Sequence, residues 1–172
     1  MPFQTNLANA IRAEGVTVVE HSGWKTRGNS TFSPRGVVAH HTGPYSTVQG
    51  MVNLCISGRS DLPGPLANVV LAPDGVAHVI AAGRANHAGT GGWRGLSGNS
   101  SVFGIEAMHP GSSSVPWPAV QLKSYYEICA AMIKMVGVGS DMVCGHKEWR
   151  PGDKIDPISL DMNQFRQKVA AA

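Results

Sequence analysis

Apolar residues along this chain change their spacing several times, and each change marks an element. Leu7, Ala10 and Ile11 recur at helical intervals within residues 5–13, and Gly15 supplies a stop. A short β-branched run follows at 16–19, then a polar loop at 21–35, then GVVAH at 36–40, which reads as a buried strand. Ser46 and Gln49 stand at capping-box spacing and open a helix with Val48, Met51, Val52 and Cys55 on one side, ending near Gly58. The runs at 68–71 (NVVL) and 76–80 flank Pro73, Asp74 and Gly75 and predict a β-hairpin. Residues 81–100 form a glycine-rich loop too long for a mere connection, and such loops usually carry function.

VFGIEAM at 102–108 predicts another strand. Residues 118–136 predict the longest helix, with Val120, Ile128, Met132, Ile133 and Val136 facing inward and Pro118 in its first turn. An apolar MVC run lies within 141–145, a loop covers 146–157, and Asp161 is placed to cap a terminal helix containing Phe165 and Val169. Together these elements predict an α/β fold. One domain is expected over residues 1–172, with a central mixed sheet of about five strands flanked by helices.

Composition narrows the functional classes. A chain of 172 residues can bury roughly two-thirds of its unfolded surface and so needs no covalent staples. The net charge of +3 permits attraction to an anionic polymer. The basic residues are scattered and no aromatics interleave them, which argues against nucleic acid. Three cysteines, Cys55, Cys129 and Cys144, exclude a fully paired set, and no C-x-x-C occurs, so free thiols are expected. The first 20 residues have neither a basic nor an apolar segment of an export signal, and no run approaches the ~18 apolar residues of a membrane span. The expectation is a monomer made in the cytoplasm, without membrane insertion.

Candidate chemistry gathers at two strand ends. His40 and His41 close the GVVAH run, and neighbouring strand residues point to opposite faces, so one of the two joins a site. His146 directly follows the second apolar run and its glycine. Open sheets place ligand sites at such an edge. Asp156 comes ten residues later and precedes Pro157. Two histidines and a carboxylate form a known catalytic zinc arrangement with a fourth position left for water; the other reading of Asp156 is a loop cap. Lys154 shares a face with Asp156 if this segment is extended, and a cation there can stabilise an oxyanion. Glu106 sits inside an apolar strand, which costs free energy unless it is paired or lies at a cleft. It is either a general base with a raised pKa or a residue on a wet sheet face. His87 lies in the glycine-rich loop and lines a substrate groove or orders the loop. Cys144 reads as a core residue rather than a soft ligand.

The stretches GVVAHHTG at 36–43, NVVLAPDGVAHVI at 68–80, ANHAG at 85–89, VFGIEA at 102–107 and GHKEWRPGDKIDP at 145–157 occur in a fixed order. As a set they resemble the type 2 N-acetylmuramoyl-L-alanine amidases, a family that includes peptidoglycan-recognition proteins. The glycine-rich loop looks most like the amidase modules of phage endolysins. The resemblance spans residues 36–157 and implies a mixed sheet with a groove across one end. It implies hydrolysis of the amide between N-acetylmuramic acid and L-alanine of bacterial peptidoglycan, hence action on the host cell wall. By position it assigns His40, His146 and Asp156 as Zn2+ ligands, Lys154 as the oxyanion cation and Glu106 as the catalytic glutamate. His87 and Asn68 are the expected substrate contacts. One departure stands out. Some members carry a catalytic tyrosine in the first hairpin strand, where this chain has Ala67 and Asn68. Two rival functions remain at this stage: a module that binds peptidoglycan without cutting it, and a zinc peptidase acting within the stem peptide. H-E-x-x-H is absent, which removes one large peptidase class.

Overall fold

A computed structural model describes residues 2–172. Six of its strands form the main sheet: β1 (Val18–Glu20), β2 (Val37–His41), β3 (Val69–Leu71), β4 (Ala77–Val79), β5 (Phe103–Ala107) and β6 (Val143–Gly145). That is one more than expected, and all six coincide with apolar runs. The spatial order is β1-β4-β3-β5-β2-β6. The β3–β4 hairpin is antiparallel and every other pairing is parallel. The sheet is therefore mixed, as the hairpin signal required.

Five helices flank it among the described residues: α1 (Leu7–Ala13), α2 (Val48–Ser57), α3 (Ala119–Val136), α4 (His146–Trp149) and α5 (Met162–Ala170). Strand alternation sends Val37, Ala39, Phe103 and Ile105 to one face, where α1, α3 and α5 cover them. The opposite face is divided. Val70 packs with Met51, Val52 and Cys55 of α2, whereas Val38 and Cys144 pack under the glycine-rich loop with Ala88, Leu96 and Trp149. This second face is where the site forms.

Three local expectations are corrected. The α2 cap is Thr47, whose hydroxyl accepts from Gly50 N at 2.9 Å, one residue later than Ser46. Val120 points out and is 51% exposed. The inward stripe of α3 runs through Gln121, Tyr125, Ile128 and Met132, and Val120 lies about 100° away from Gln121 around the axis. The loop after β6 opens with the short helix α4. Asp161 caps α5 as its position predicts, accepting from Gln164 N at 2.9 Å. No helix among the described residues is long and apolar enough to cross a membrane.

Candidate active site

The adjacent parallel strands β2 and β6 both end at the same edge, and each delivers one histidine. His40 shares the face of Val38, so its ring enters the loop-covered side; His41 turns to the other side and accepts from Ile158 N through Nδ1 at 3.0 Å. His146 begins α4, immediately after β6. The backbone N–H of Lys147 donates to Asp156 O at 2.9 Å, and Lys147 Nζ donates to Pro157 O and Leu160 O. These bonds hold the loop so that Asp156 stands beside His146. The Tyr125 hydroxyl of α3 donates to His40 O at 2.7 Å and fixes the strand end from below.

His40 Nδ1, His146 Nδ1 and Asp156 Oδ2 converge. Their separations are 3.0 Å between the nitrogens and 3.0 and 3.2 Å to the oxygen, and all three residues are buried. A tetrahedral ion with bonds of about 2.0–2.1 Å requires ligand atoms about 3.3 Å apart. The spacing fits such an ion closely.

Hydrogen bonding on the far side of each ring sets the proton positions. His146 Nε2 donates to Ala88 O at 3.0 Å, which leaves a lone pair on Nδ1 of the neutral ring. His87 Nε2 donates to Val102 O at 3.3 Å, so its Nδ1 accepts from His40 Nε2 at 3.0 Å. His40 Nδ1 is then also a bare lone pair. Burial pushes the His40 imidazole down to about 4, against the opposing pull of the Asp156 carboxyl. Burial and the neighbouring His40 hold His87 well below the ordinary histidine range. Burial works to raise the Asp156 carboxyl, but the adjoining His146 and His40 rings hold it below its ordinary value. Three lone-pair atoms thus face one point with no proton between them, an arrangement that a cation resolves.

Glu106 lies opposite His40 in the β2–β5 register and therefore on the same sheet face. Both line a cavity of about 270 Å³ with Arg59, Lys154 and the three converging residues. Glu106 Oε2 is fully shielded and has no hydrogen-bond partner among the described residues. Burial raises its carboxyl well above the ordinary carboxylate range, and the charge of Asp156 adds to the rise; Arg59 and Lys154 oppose it. Lys154 is exposed at the rim, facing the same cavity as Asp156.

Two expected substrate contacts stand differently. Asn68 is 0% exposed, donates to Ala81 O and Gly83 O, and accepts from Gly104 N. It ties the start of the glycine-rich loop to β5 and has no surface to offer a substrate. His87 does border the cavity, but both ring nitrogens are spent on His40 and Val102. Its ring lies flat on β5, where a Cβ at Gly104 would collide with it. That glycine within an apolar strand was the available signal of a close approach. Cys144 is buried under the loop and is not one of the converging atoms.

An α/β sheet that gathers a buried carboxylate and three converging donor atoms in one cleft is a layout suited to metal-assisted hydrolysis. The family profile for N-acetylmuramoyl-L-alanine amidase matches residues 29–159, and the chain belongs to this family. Its reaction is hydrolysis of an amide bond in peptidoglycan. No curated protein sequence matches. Among solved structures, the endolysin amidase LysCS from Clostridium intestinale is similar at 20% identity and a TM-score of 0.65, covering 89% of this chain and 95% of that one. AmpD is similar at 21% identity and 0.66, covering 89% and 93%. The hydrolase AmiA of Staphylococcus aureus is similar at 15% and 0.65, covering 96% and 88%. At these identities the likeness shows a shared fold.

Proposed function

We propose that the protein is a zinc-dependent N-acetylmuramoyl-L-alanine amidase that serves a phage as a wall-degrading lysin. In this reading residues 1–172 are one catalytic domain, acting as a monomer on bacterial peptidoglycan. The observation that carries the zinc assignment is the convergence of His40 Nδ1, His146 Nδ1 and Asp156 Oδ2 as three bare acceptors at 3.0–3.2 Å. Two imidazoles and one carboxylate suit zinc among the divalent ions.

A zinc ion held there supplies the chemistry of a water made acidic, from about 16 toward about 7, and of a polarised scissile carbonyl. The chain supplies the rest. His87 and Ala88 hold the two ligand rings in the tautomer that presents Nδ1. Glu106, unpaired and raised in pKa, takes the proton of the attacking water and hands it to the departing amine of L-alanine. The ammonium of Lys154 draws the negative charge that develops on the carbonyl oxygen. With no tyrosine at the hairpin position, the base is Glu106.

Digestion of purified sacculi with metal-loaded protein tests this reading. Mass analysis is expected to find intact glycan strands and free peptides that begin with L-alanine. Fragments cut within the stem would make the protein a peptidase. Metal analysis of the purified protein is expected to return one zinc per chain, and another ion at full occupancy would replace that assignment.

A further inference from the structure

The consecutive backbone N–H groups of His87 and Ala88 donate to one atom, the carboxamide oxygen of Asn99, at 3.1 and 2.8 Å. No backbone carbonyl among the described residues serves either group. Both partners are donors, so the side-chain oxygen, and not the nitrogen, stands between them. Successive N–H groups converge in this way where the chain curls into a small nest, and one oxygen with two lone pairs fills it. Asn99 is half-buried and opens a single 3-10 turn, Asn99–Ser101, entered through Gly98 at a φ of +71°. The turn is anchored on its far side. Ser33 N donates to Ser100 O and Arg35 N to Ser101 O, both at 2.8 Å, and the Ser101 hydroxyl donates back to Ser97 O. The chain then enters Val102, whose carbonyl accepts from His87 Nε2.

The two residues gripped by Asn99 are the two that orient the converging imidazoles. His87 Nδ1 accepts from His40 Nε2, and Ala88 O accepts from His146 Nε2, each at 3.0 Å. If the nest opens, the His87 ring and the Ala88 peptide plane turn, and both Nε2 protons lose their acceptors together. An unbraced neutral imidazole exchanges tautomers. A proton on either Nδ1 then finds Asp156 Oδ2 at 3.0 or 3.2 Å and occupies a lone pair that a bound cation requires. We infer that Asn99 is a positioning residue of this centre, its one oxygen holding both imidazoles as Nε2–H tautomers through His87 and Ala88. This inference rests on reading the converging trio as a zinc site. It adds a residue that hydrogen-bonds to none of the three.

The test compares Asn99→Leu, which keeps the bulk and removes the acceptor, with Asn99→Asp, which keeps the acceptor. Zinc affinity is read by chelator competition. Tautomers are read from nitrogen-15 spectra of the imidazoles in metal-free protein at about pH 8, where histidine is neutral, with His40→Ala and His146→Ala as assignments. Wild type is expected to show Nε2–H at both rings. Asn99→Leu is expected to bind zinc about 10–100-fold more weakly, the usual loss of an outer partner, with part of the Nε2–H signal moved to Nδ1–H. Asn99→Asp is expected to stay near wild type in both readouts. Added to His87→Ala, Asn99→Leu is expected to weaken zinc further, because the Ala88 plane still depends on Asn99. An Nδ1 proton on either ring of wild type overturns the inference, whether or not Asn99→Leu folds. Unaltered affinity in Asn99→Leu overturns it too, as does an Asn99→Asp as weak as Asn99→Leu. Wild type that holds both Nε2–H tautomers but binds no zinc removes the metal centre and leaves the tautomer brace; wild type that binds zinc, with Asn99→Leu its equal, removes the brace and leaves the centre.

Discussion

His40 and Glu106 face each other across neighbouring parallel strands, at paired positions of the β2–β5 register. One residue presents a lone pair to the candidate metal centre and the other a shielded carboxylate to the same cavity. Sheet register, with no loop between them, thus fixes the separation of candidate ligand and candidate base.

Replacing Glu106 by Gln keeps the size of the side chain and removes its ability to accept a proton. Turnover on sacculi is expected to fall about 10²–10⁴-fold, with metal content and melting temperature unchanged. Because burial raises this carboxyl above its ordinary value of 4.5, the wild-type rate is expected to fail on acidification at a higher pH than an exposed glutamate would allow. Equal rates in wild type and Glu106→Gln would remove Glu106 from the mechanism.

Metal content separates the two adjacent histidines. His40→Ala and His146→Ala are each expected to lose bound metal and activity while remaining folded. His41→Ala is expected to retain metal, because its ring turns away and its partner is Ile158 N. Metal retention in His146→Ala, measured by atomic emission, would contradict the site.

His87 is expected to act through His40. His87→Ala removes the acceptor that fixes the His40 tautomer, and such losses typically weaken metal binding 10–100-fold. Gly104→Ala should reproduce much of this, since its methyl displaces the His87 ring. Competition with a zinc chelator measures both; unaltered affinity in both variants would leave the ring a loop ornament.

Cys144→Ser tests the alternative ligand. The thiol is buried among Val38, Ala88 and Trp149, so the variant is expected to keep metal affinity and to lose stability modestly. A large loss of metal with an intact fold would make sulfur a ligand.

Acidification is expected to destabilise the metal-free protein. Burial lowers His40 from its ordinary 6.5 to about 4 and His87 in the same direction. Between those values the unfolded chain binds protons that the folded one refuses. The contribution is complete above about pH 6.5 and is lost as pH falls toward about 4. Melting curves across that interval should show a steady fall, and a flat profile would mean that these rings are not buried neutral.

The three side chains that converge were legible in the sequence because each element left a local mark. Apolar runs located β2 and the strand before His146, alternation let only one of His40 and His41 join the site and the family resemblance selected His40, and Pro157 pointed to a fixed Asp156. The role of Asn68 was not legible. Its three partners come from Ala81, Gly83 and Gly104, and only the tertiary fold brings those backbone groups together. The brace formed by His87 was hidden for the same reason, although Gly104 hinted at it. Val120 was misplaced because a single apolar residue at a helix start does not fix the phase of the stripe. The order β3-β5-β2, which sets Glu106 beside His40, does not follow the order of the chain and left no trace in any one segment.

His40 and Asp156 are 116 residues apart in the chain, yet their donor atoms are 3.0 Å apart. An ion between them is a cross-link that closes most of the polypeptide into a loop. Unlike a disulfide, this link dissolves when the chain opens, so its strength follows supply. Each tenfold rise in free ion above the dissociation constant adds about 1.4 kcal/mol to folding. With an ion bound there, the durability of the protein would be tied to the metal status of its surroundings, and scarcity of the ion would shorten the lifetime of the fold as well as silence the site.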